Sequence, residues 1–323
     1  MLHQLNTSVK KYLPYISLSL LSLLFITSCS GPKAAQQDSD KLPNALLWRI
    51  EGKGLKEPSY LFGTIHMINK DDYFLPEGLE EAFDKSDKVV FEIDLDDMSD
   101  MGSLMGMLTG LMMKDGMTLK KLLTPEEYKE VSTYFEGMGL PMVMLGKVKP
   151  MFLSMLAEVN MDPTAMQSEE IMSYEMELYD KANNDSKDVG GLETMAYQMS
   201  LFDSIPYKEQ ALMLLDAVRG TNLESDMFDQ TVALYKLQDI EAMVSMVTEA
   251  EMEGETNFED VLLNNRNRNW IPVMGKKMAT GSTFFAVGAG HLGGDQGVIQ
   301  LLKKEGYDVT PVSVYRAVVP KKV

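Results

Sequence analysis

The alternation of apolar and polar positions divides the chain into two strand-rich ends and a long helical middle. Residues 44–51 and 58–63 are apolar, aromatic-containing runs separated by Gly52-Lys53-Gly54, and they predict a hairpin or two adjacent strands. Pro76 then suits a helix start, with Leu79, Ala82 and Phe83 on one face. A β-rich run at 88–95, KVVFEIDL, completes a strand–helix–strand order that implies parallel pairing. The C-terminal end repeats the plan. A strand at 283–287 leads to a helix with Val298, Ile299, Leu301 and Leu302 inward, for which Asp295 is the expected cap and Gly306 the stop. A strand at 307–314 follows, and its Pro311 suggests an edge position or a bulge.

Between these ends, 98–280 reads almost entirely as helix. Thr124-Pro125-Glu126-Glu127 is a capping box with proline at the first helical position. Amphipathic stretches follow at 147–158, 168–182, 194–203, 207–219, 224–236, 239–250 and 257–278, while 96–116 predicts a loop or a loose helix. The predicted fold is therefore α/β: a discontinuous β-α-β core from 44–97 and 281–318, with a large all-helical insertion at 98–280. All of the 27 methionines except Met1 and Met67 fall in that insertion. Unbranched and polarizable, they suit flexible filling of helix cores, or an adaptable wall for a peptide.

Composition sharpens the picture at the N-terminus. Residues 1–28 lack acids, carry Lys10 and Lys11, and contain an apolar run at 15–26 of signal-peptide length. That run ends in Ile26-Thr27-Ser28-Cys29, which resembles a bacterial lipobox, and Cys29 is the only cysteine in the chain. The expectation is a lipoprotein signal peptide at 1–28, lipid on Cys29 and a flexible tether at 29–43. The localisation expected is a bacterial membrane, with Ser30 after the cysteine favouring the outer one, and a domain facing the periplasm or exterior. A single cysteine excludes internal disulfides and thiolate zinc sites. A net charge of −18 argues against nucleic acid as a partner.

Histidine is scarcer than methionine and more informative. Beyond His3, only His66 and His291 exist, and both end the same pattern: an apolar strand running into Gly63-Thr64-Ile65-His66 and into Gly288-Ala289-Gly290-His291. Glycine permits a sharp turn at each strand end, and the C-terminal rim of parallel strands is where α/β sheets bind ligands. The third partner is Glu92, an acid within an apolar strand that is costly to bury unless paired or metal-bound. Two histidines and a carboxylate form a common ligand set for a divalent ion that activates water, with Asp94 or Glu193 as further acids at hand. No His-Glu-x-x-His, Gly-x-Ser-x-Gly, phosphate loop or dinucleotide fingerprint competes with this reading.

Taken in order, LLWRIEG, YLFGTIHM, LPEGLEEAF, VVFEIDL, GLETMAYQM, LLNNRNRNW and FFAVGAGHLGG resemble the TraB/GumN family, which is related to the Tiki membrane-tethered metalloproteases. The resemblance implies a split α/β core, and a site built from His66, His291 and Glu92. It also implies roles for Arg266 and Asn267 of an arginine-asparagine signature, and for Glu193, in catalysis or substrate binding. Manganese or cobalt is the metal it implies, with zinc a further option, and peptides or proteins are the substrates. The leading expectation is a lipid-anchored, metal-dependent peptidase. The alternatives are a lipoprotein that sequesters metal, haem or peptide, and a scaffold whose histidines are structural.

Overall fold

The computed structural model describes residues 41–96, 101–158, 171–220, 224–251, 257 and 259–315. The segment expected as a signal peptide, Cys29 and the part of the expected tether before residue 41 lie outside the described residues. None of the described helices is long and apolar enough to cross a membrane.

The N-terminal end supplies β1 (Leu47–Gly52), β2 (Ser59–Thr64), the short β3 (Ile68–Asn69), α1 (Leu79–Asp84) and β4 (Lys88–Ile93). The middle supplies α2 (Met101–Gly110), α3 (Leu119–Leu122), α4 (Pro125–Gly137), α5 (Met142–Leu145), α6 (Pro150–Glu158), the short β5 (Ile171–Met172) and α7 (Tyr174–Asn184). It continues with β6 (Asp188–Glu193), α8 (Met195–Leu201), α9 (Tyr207–Arg219), α10 (Glu224–Lys236), α11 (Ile240–Glu251) and α12 (Asn265–Met278). The C-terminal end adds β7 (Thr283–Gly288), α13 (Val298–Lys304) and β8 (Tyr307–Pro311).

The main sheet runs β6-β4-β7-β2-β1-β8. β2, β7, β4 and β6 are mutually parallel, whereas β1 pairs antiparallel with both β2 and β8. The hairpin prediction holds, and Pro311 does sit in an edge strand. The parallel prediction needs one correction: β2 and β4 do not touch, because β7 from the far end of the chain lies between them. α1 packs Leu79, Ala82 and Phe83 into the core after an N-cap at Gly78. For α13, Gly297 rather than Asp295 occupies the cap position, with no side-chain bond, while Val298, Ile299 and Leu302 are buried.

The middle segment is largely helical, but it is not all helix. It gives β5 to a two-stranded pairing with β3, and β6 to one edge of the main sheet. β6 has the sequence DVGGLE, and its glycines serve close approach: a Cβ on Gly191 would sit 2.4 Å from the Asp94 backbone nitrogen. The helices carry their own apolar core around Leu119, Val131, Phe135, Leu153 and Leu214, separate from the core that covers the sheet. The capping box forms as predicted, with Thr124 accepting from Glu127 N and Glu127 accepting from Thr124 N. Methionine serves two purposes here. Met243, Met274 and Met278 fill the main core, while Met101, Met105 and Met144 are exposed. α2, the expected loose helix, buries none of its residues.

The consequence for chemistry is simple. Four parallel strands end along one rim, with Thr64 paired beside Gly288 and Ile93 beside Glu193.

Candidate functional site

Each Gly-x-x-His turn starts from a glycine that the packing requires. A Cβ on Gly63 would lie 3.0 Å from Leu292 and 3.1 Å from Ala289, so the two turns pack directly on one another. A Cβ on Gly288 would come within 3.3 Å of the Glu92 carboxylate, and the Gly288 N–H donates to Glu92 Oε1 at 2.8 Å.

Glu92 lies on β4, buried, and it is the centre of a charged cluster. Arg266, from the first turn of α12, donates through Nη2 to Glu92 Oε2, and Gln198 of α8 donates to the same oxygen at 3.1 Å. Arg266 Nε also donates to Glu193 Oε1 at 2.9 Å, and its Nη2 stands 2.7 Å from that oxygen. Nη1 donates to the Leu262 carbonyl at 2.9 Å and to His291 Nε2 at 3.0 Å. The guanidinium therefore spends its donors inside the protein. Its face lies over Trp270, whose indole N–H donates to Glu193 Oε2 at 2.9 Å.

Burial pushes the Glu92 carboxyl up, but His291, Arg266 and His66, together with the Gly288 N–H, outweigh it and bring it down to about 2. Glu92 is thus a carboxylate at any physiological pH.

The two histidines differ. The His291 side chain is 5% exposed, stacks on Trp270 at 4.4 Å between ring centres, and stands 3.7 Å from Glu92 Oε1 through Nε2. Burial is the main cause that drives its pKa down, Glu92 opposes, Arg266 and His66 reinforce, and the result is about 3. His66 is 71% exposed, and its Nδ1–H donates to Glu175 Oε1 at 2.9 Å. That hydrogen bond is the main reason its pKa rises to about 9. Burial acts on Glu175 upward, yet His66 and the hydroxyl of Thr64, which donates at 2.6 Å, hold it below its ordinary range.

The rim therefore brings Glu92, His291, Arg266, Asn267 and Glu193 into one buried network. His66 stands close enough for its charge to act on Glu92 and His291 but not in contact with them. Among the described residues, no three His, Cys, Asp or Glu side chains are close enough together to hold a metal ion. The donor chemistry nevertheless suits one. Each histidine has Nδ1 tied to a side-chain oxygen, Glu175 for His66 and Asn267 for His291, the usual way a metal-binding imidazole is oriented through its far nitrogen. In this structure the Arg266 guanidinium bridges Glu92 Oε2 and His291 Nε2.

Two expected roles look different in place. Asn267 uses its oxygen on His291 and its nitrogen on the Gln296 carbonyl, and Glu193 holds Arg266 and Trp270. Both act on neighbouring side chains. Asp94 accepts from the Asp96 N–H at 3.1 Å. Sequence reasoning did not find Glu175 or Gln198. Glu175 stands in the first turn of α7, where an acid is already explained by the helix dipole, and nothing local marks it.

The model of the TraB/PrgY/gumN family matches residues 46–311, the whole of the sheet and nearly all of the rim. The chain belongs to the TraB/PrgY/gumN family. Among similar proteins is metalloprotease TIKI1 of Danio rerio, 23% identical over 87% of this chain and 65% of its own length. Metalloprotease TIKI2 of Danio rerio is 22% identical over 84% of this chain and 61% of its own length. TIKI1 of Homo sapiens is 22% identical over 82% of this chain and 61% of its own length. The chain thus spans a little under two thirds of these relatives. No solved structure matches it. For this TraB/PrgY/gumN member the family resemblance read from the motifs is correct, and the relatives place it beside metalloproteases.

Proposed function

We propose that this chain is a membrane-tethered, metal-dependent peptidase whose domain works outside the cytoplasm. The observation that carries the reading is the rim itself. Two Gly-x-x-His turns and a buried glutamate meet at the C-terminal ends of adjacent parallel strands, with both imidazoles held at Nδ1 by an oxygen. The metalloprotease names of the relatives support the same reading.

His66, His291 and Glu92 would hold the ion, and manganese or cobalt is the metal the family resemblance favours. A bound divalent ion supplies a Lewis acid for a peptide carbonyl and a more acidic water. The protein contributes orientation and charge. Glu92 stays ionised, His291 stays neutral, and Glu193 with Trp270 locks the Arg266 cation against the wall. The lipobox-like Ile26-Thr27-Ser28-Cys29 supports the anchor.

The test is metal analysis of the purified full-length chain after exposure to Mn²⁺, Co²⁺ or Zn²⁺, followed by a peptide-library cleavage assay read by mass spectrometry. Cleavage that needs the ion and disappears in Glu92→Gln is expected. Bound metal without cleavage would instead support sequestration. Failure to bind any of the three ions would overturn the metal centre. For the anchor, fatty-acid labelling should vanish in Cys29→Ser, and persistence would refute it.

A further inference from the structure

We infer that Asn267 is a positioning residue that fixes His291 as the Nδ1–H tautomer, so that its Nε2 lone pair faces Glu92 and Arg266. Two independent hydrogen-bond arguments lead to the same ring state. The Gln296 backbone carbonyl can only accept, so the group 2.9 Å from it must be the Asn267 amide nitrogen. That orientation turns Asn267 Oδ1 to the ring, where it stands 2.6 Å from Nδ1 and can only accept. Nδ1 must therefore carry the proton. On the other side of the ring, Arg266 Nη1 can only donate, and it stands 3.0 Å from Nε2. Nε2 must therefore carry the lone pair.

The arrangement has a competitor. Glu92 Oε1 lies 3.7 Å from Nε2, and an ionised carboxylate draws a proton to the nitrogen nearest it. Left to Glu92, His291 would protonate at Nε2 and turn from acceptor to donor. Asn267 prevents this from the far side of the ring. It is 1% exposed and His291 is 4% exposed, so no water can substitute for the amide oxygen. Trp270 packs against the imidazole with ring centres 4.4 Å apart and planes tilted by 42°, which hinders the ring from turning over. Gln296 enters through its backbone, so no side-chain change there can reverse the relay.

The consequence is directional. His291 can receive an acid at Nε2, whether a metal ion or an N–H, but cannot give a proton there. This deepens the proposed function, because Nε2 is the atom that His291 would offer to the ion.

The experiment is long-range ¹H–¹⁵N correlation NMR on the metal-free full-length chain labelled with ¹⁵N-histidine, with signals assigned through His66→Gln and His291→Gln. Wild type should show His291 protonated at Nδ1 alone. Asn267→Leu removes the acceptor of the Nδ1 proton and leaves only Arg266 opposing protonation at Nε2. The Nε2–H form should then become populated beside the Nδ1–H form, and Mn²⁺ or Co²⁺ binding should weaken about 10- to 100-fold, the usual loss when an outer partner of a ligand is removed. Asn267→Asp, which keeps an acceptor, should retain the wild-type tautomer. A wild-type ring protonated at Nε2 would overturn the inference outright. So would an Asn267→Leu protein with the wild-type tautomer alone. If that variant does not fold, wild type and Asn267→Asp still decide. If no ion binds, the proposed function fails while the tautomer remains measurable.

Discussion

The two Gly-x-x-His turns share a sequence pattern, sit on neighbouring parallel strands and pack against each other, yet they hold their histidines in opposite states. His66 is open to solvent, bonded to a carboxylate, and charged at neutral pH with a pKa near 9. His291 is enclosed, bonded to an amide, and neutral with a pKa near 3. The motif decides where each imidazole emerges from the sheet. Its charge is decided elsewhere, by burial and by the oxygen that takes its Nδ1 proton. A short motif shared by two turns of one chain therefore does not fix the charge of the histidine it presents.

The strongest way to break the contrast is to remove the cation that bridges Glu92 and His291. Arg266→Met leaves Glu92 and Glu193 buried against one another without a positive partner, which typically costs about 3–5 kcal/mol. The urea midpoint should fall accordingly, and an unchanged midpoint would mean that the cluster is not closed as described. Next comes acid. Because the folded His291 pKa lies below its unfolded value, the unfolded chain takes up a proton that the native one refuses. Stability should then drop from about pH 6.5 towards pH 3, by at most about 1.4 kcal/mol per pH unit. His291→Gln should flatten that limb, and parallel limbs in both proteins would contradict a buried neutral imidazole. Glu92, also depressed, contributes stability that is fully present above about pH 4.5 and is lost progressively as the pH falls through about 2, so it steepens the lower part of the same limb in both proteins.

A smaller effect tests the contact between the turns. Gly63→Ala places a methyl against Ala289 and Leu292, an overpacking of about 1–3 kcal/mol, visible as a lowered melting temperature. The smallest concerns His66. Its raised pKa contributes stability fully present below about pH 6.5 and lost as pH rises through about 9, and with the His66 side chain so exposed to solvent screening the amount is below about 1 kcal/mol. Glu175→Gln should return the His66 pKa from about 9 towards 6.5 in an NMR titration and leave His291 unmoved. A His66 pKa that stays high would show that Glu175 is not its cause.

Much of this was legible in the sequence because it depends on local pattern. The helices from α8 to α12, the capping box at Thr124 and the edge position of Pro311 follow from periodicity and from what proline and threonine do at chain ends. His66, His291 and Glu92 were visible because they break apolar strands. What could not be read depends on distance along the chain. Glu175 reaches His66 across 109 residues, and Arg266 reaches Glu92 across 174, from helix faces whose polar residues look like ordinary surface. β6 was hidden by its two central glycines, which lower strand propensity but let Gly191 approach the Asp94 backbone. The insertion of β7 between β2 and β4 is a matter of topology, and no local signal encodes it.

That insertion has a consequence in time as well as in space. β2 and β7 meet through residues 224 positions apart, so β2 leaves the ribosome long before the strand that pairs with it. Until it arrives, β2 and β4 flank a gap and the rim has no His291, no Gly288 and no floor beneath Arg266. Closing so long a loop slows pairing of the sheet, and the pairing of β7 is also what brings Gly288 and His291 to the rim. A chain cut short before residue 283 would keep Glu92, Arg266 and His66 but lose Gly288 and His291, so the strand that completes the sheet is also the strand that completes the rim.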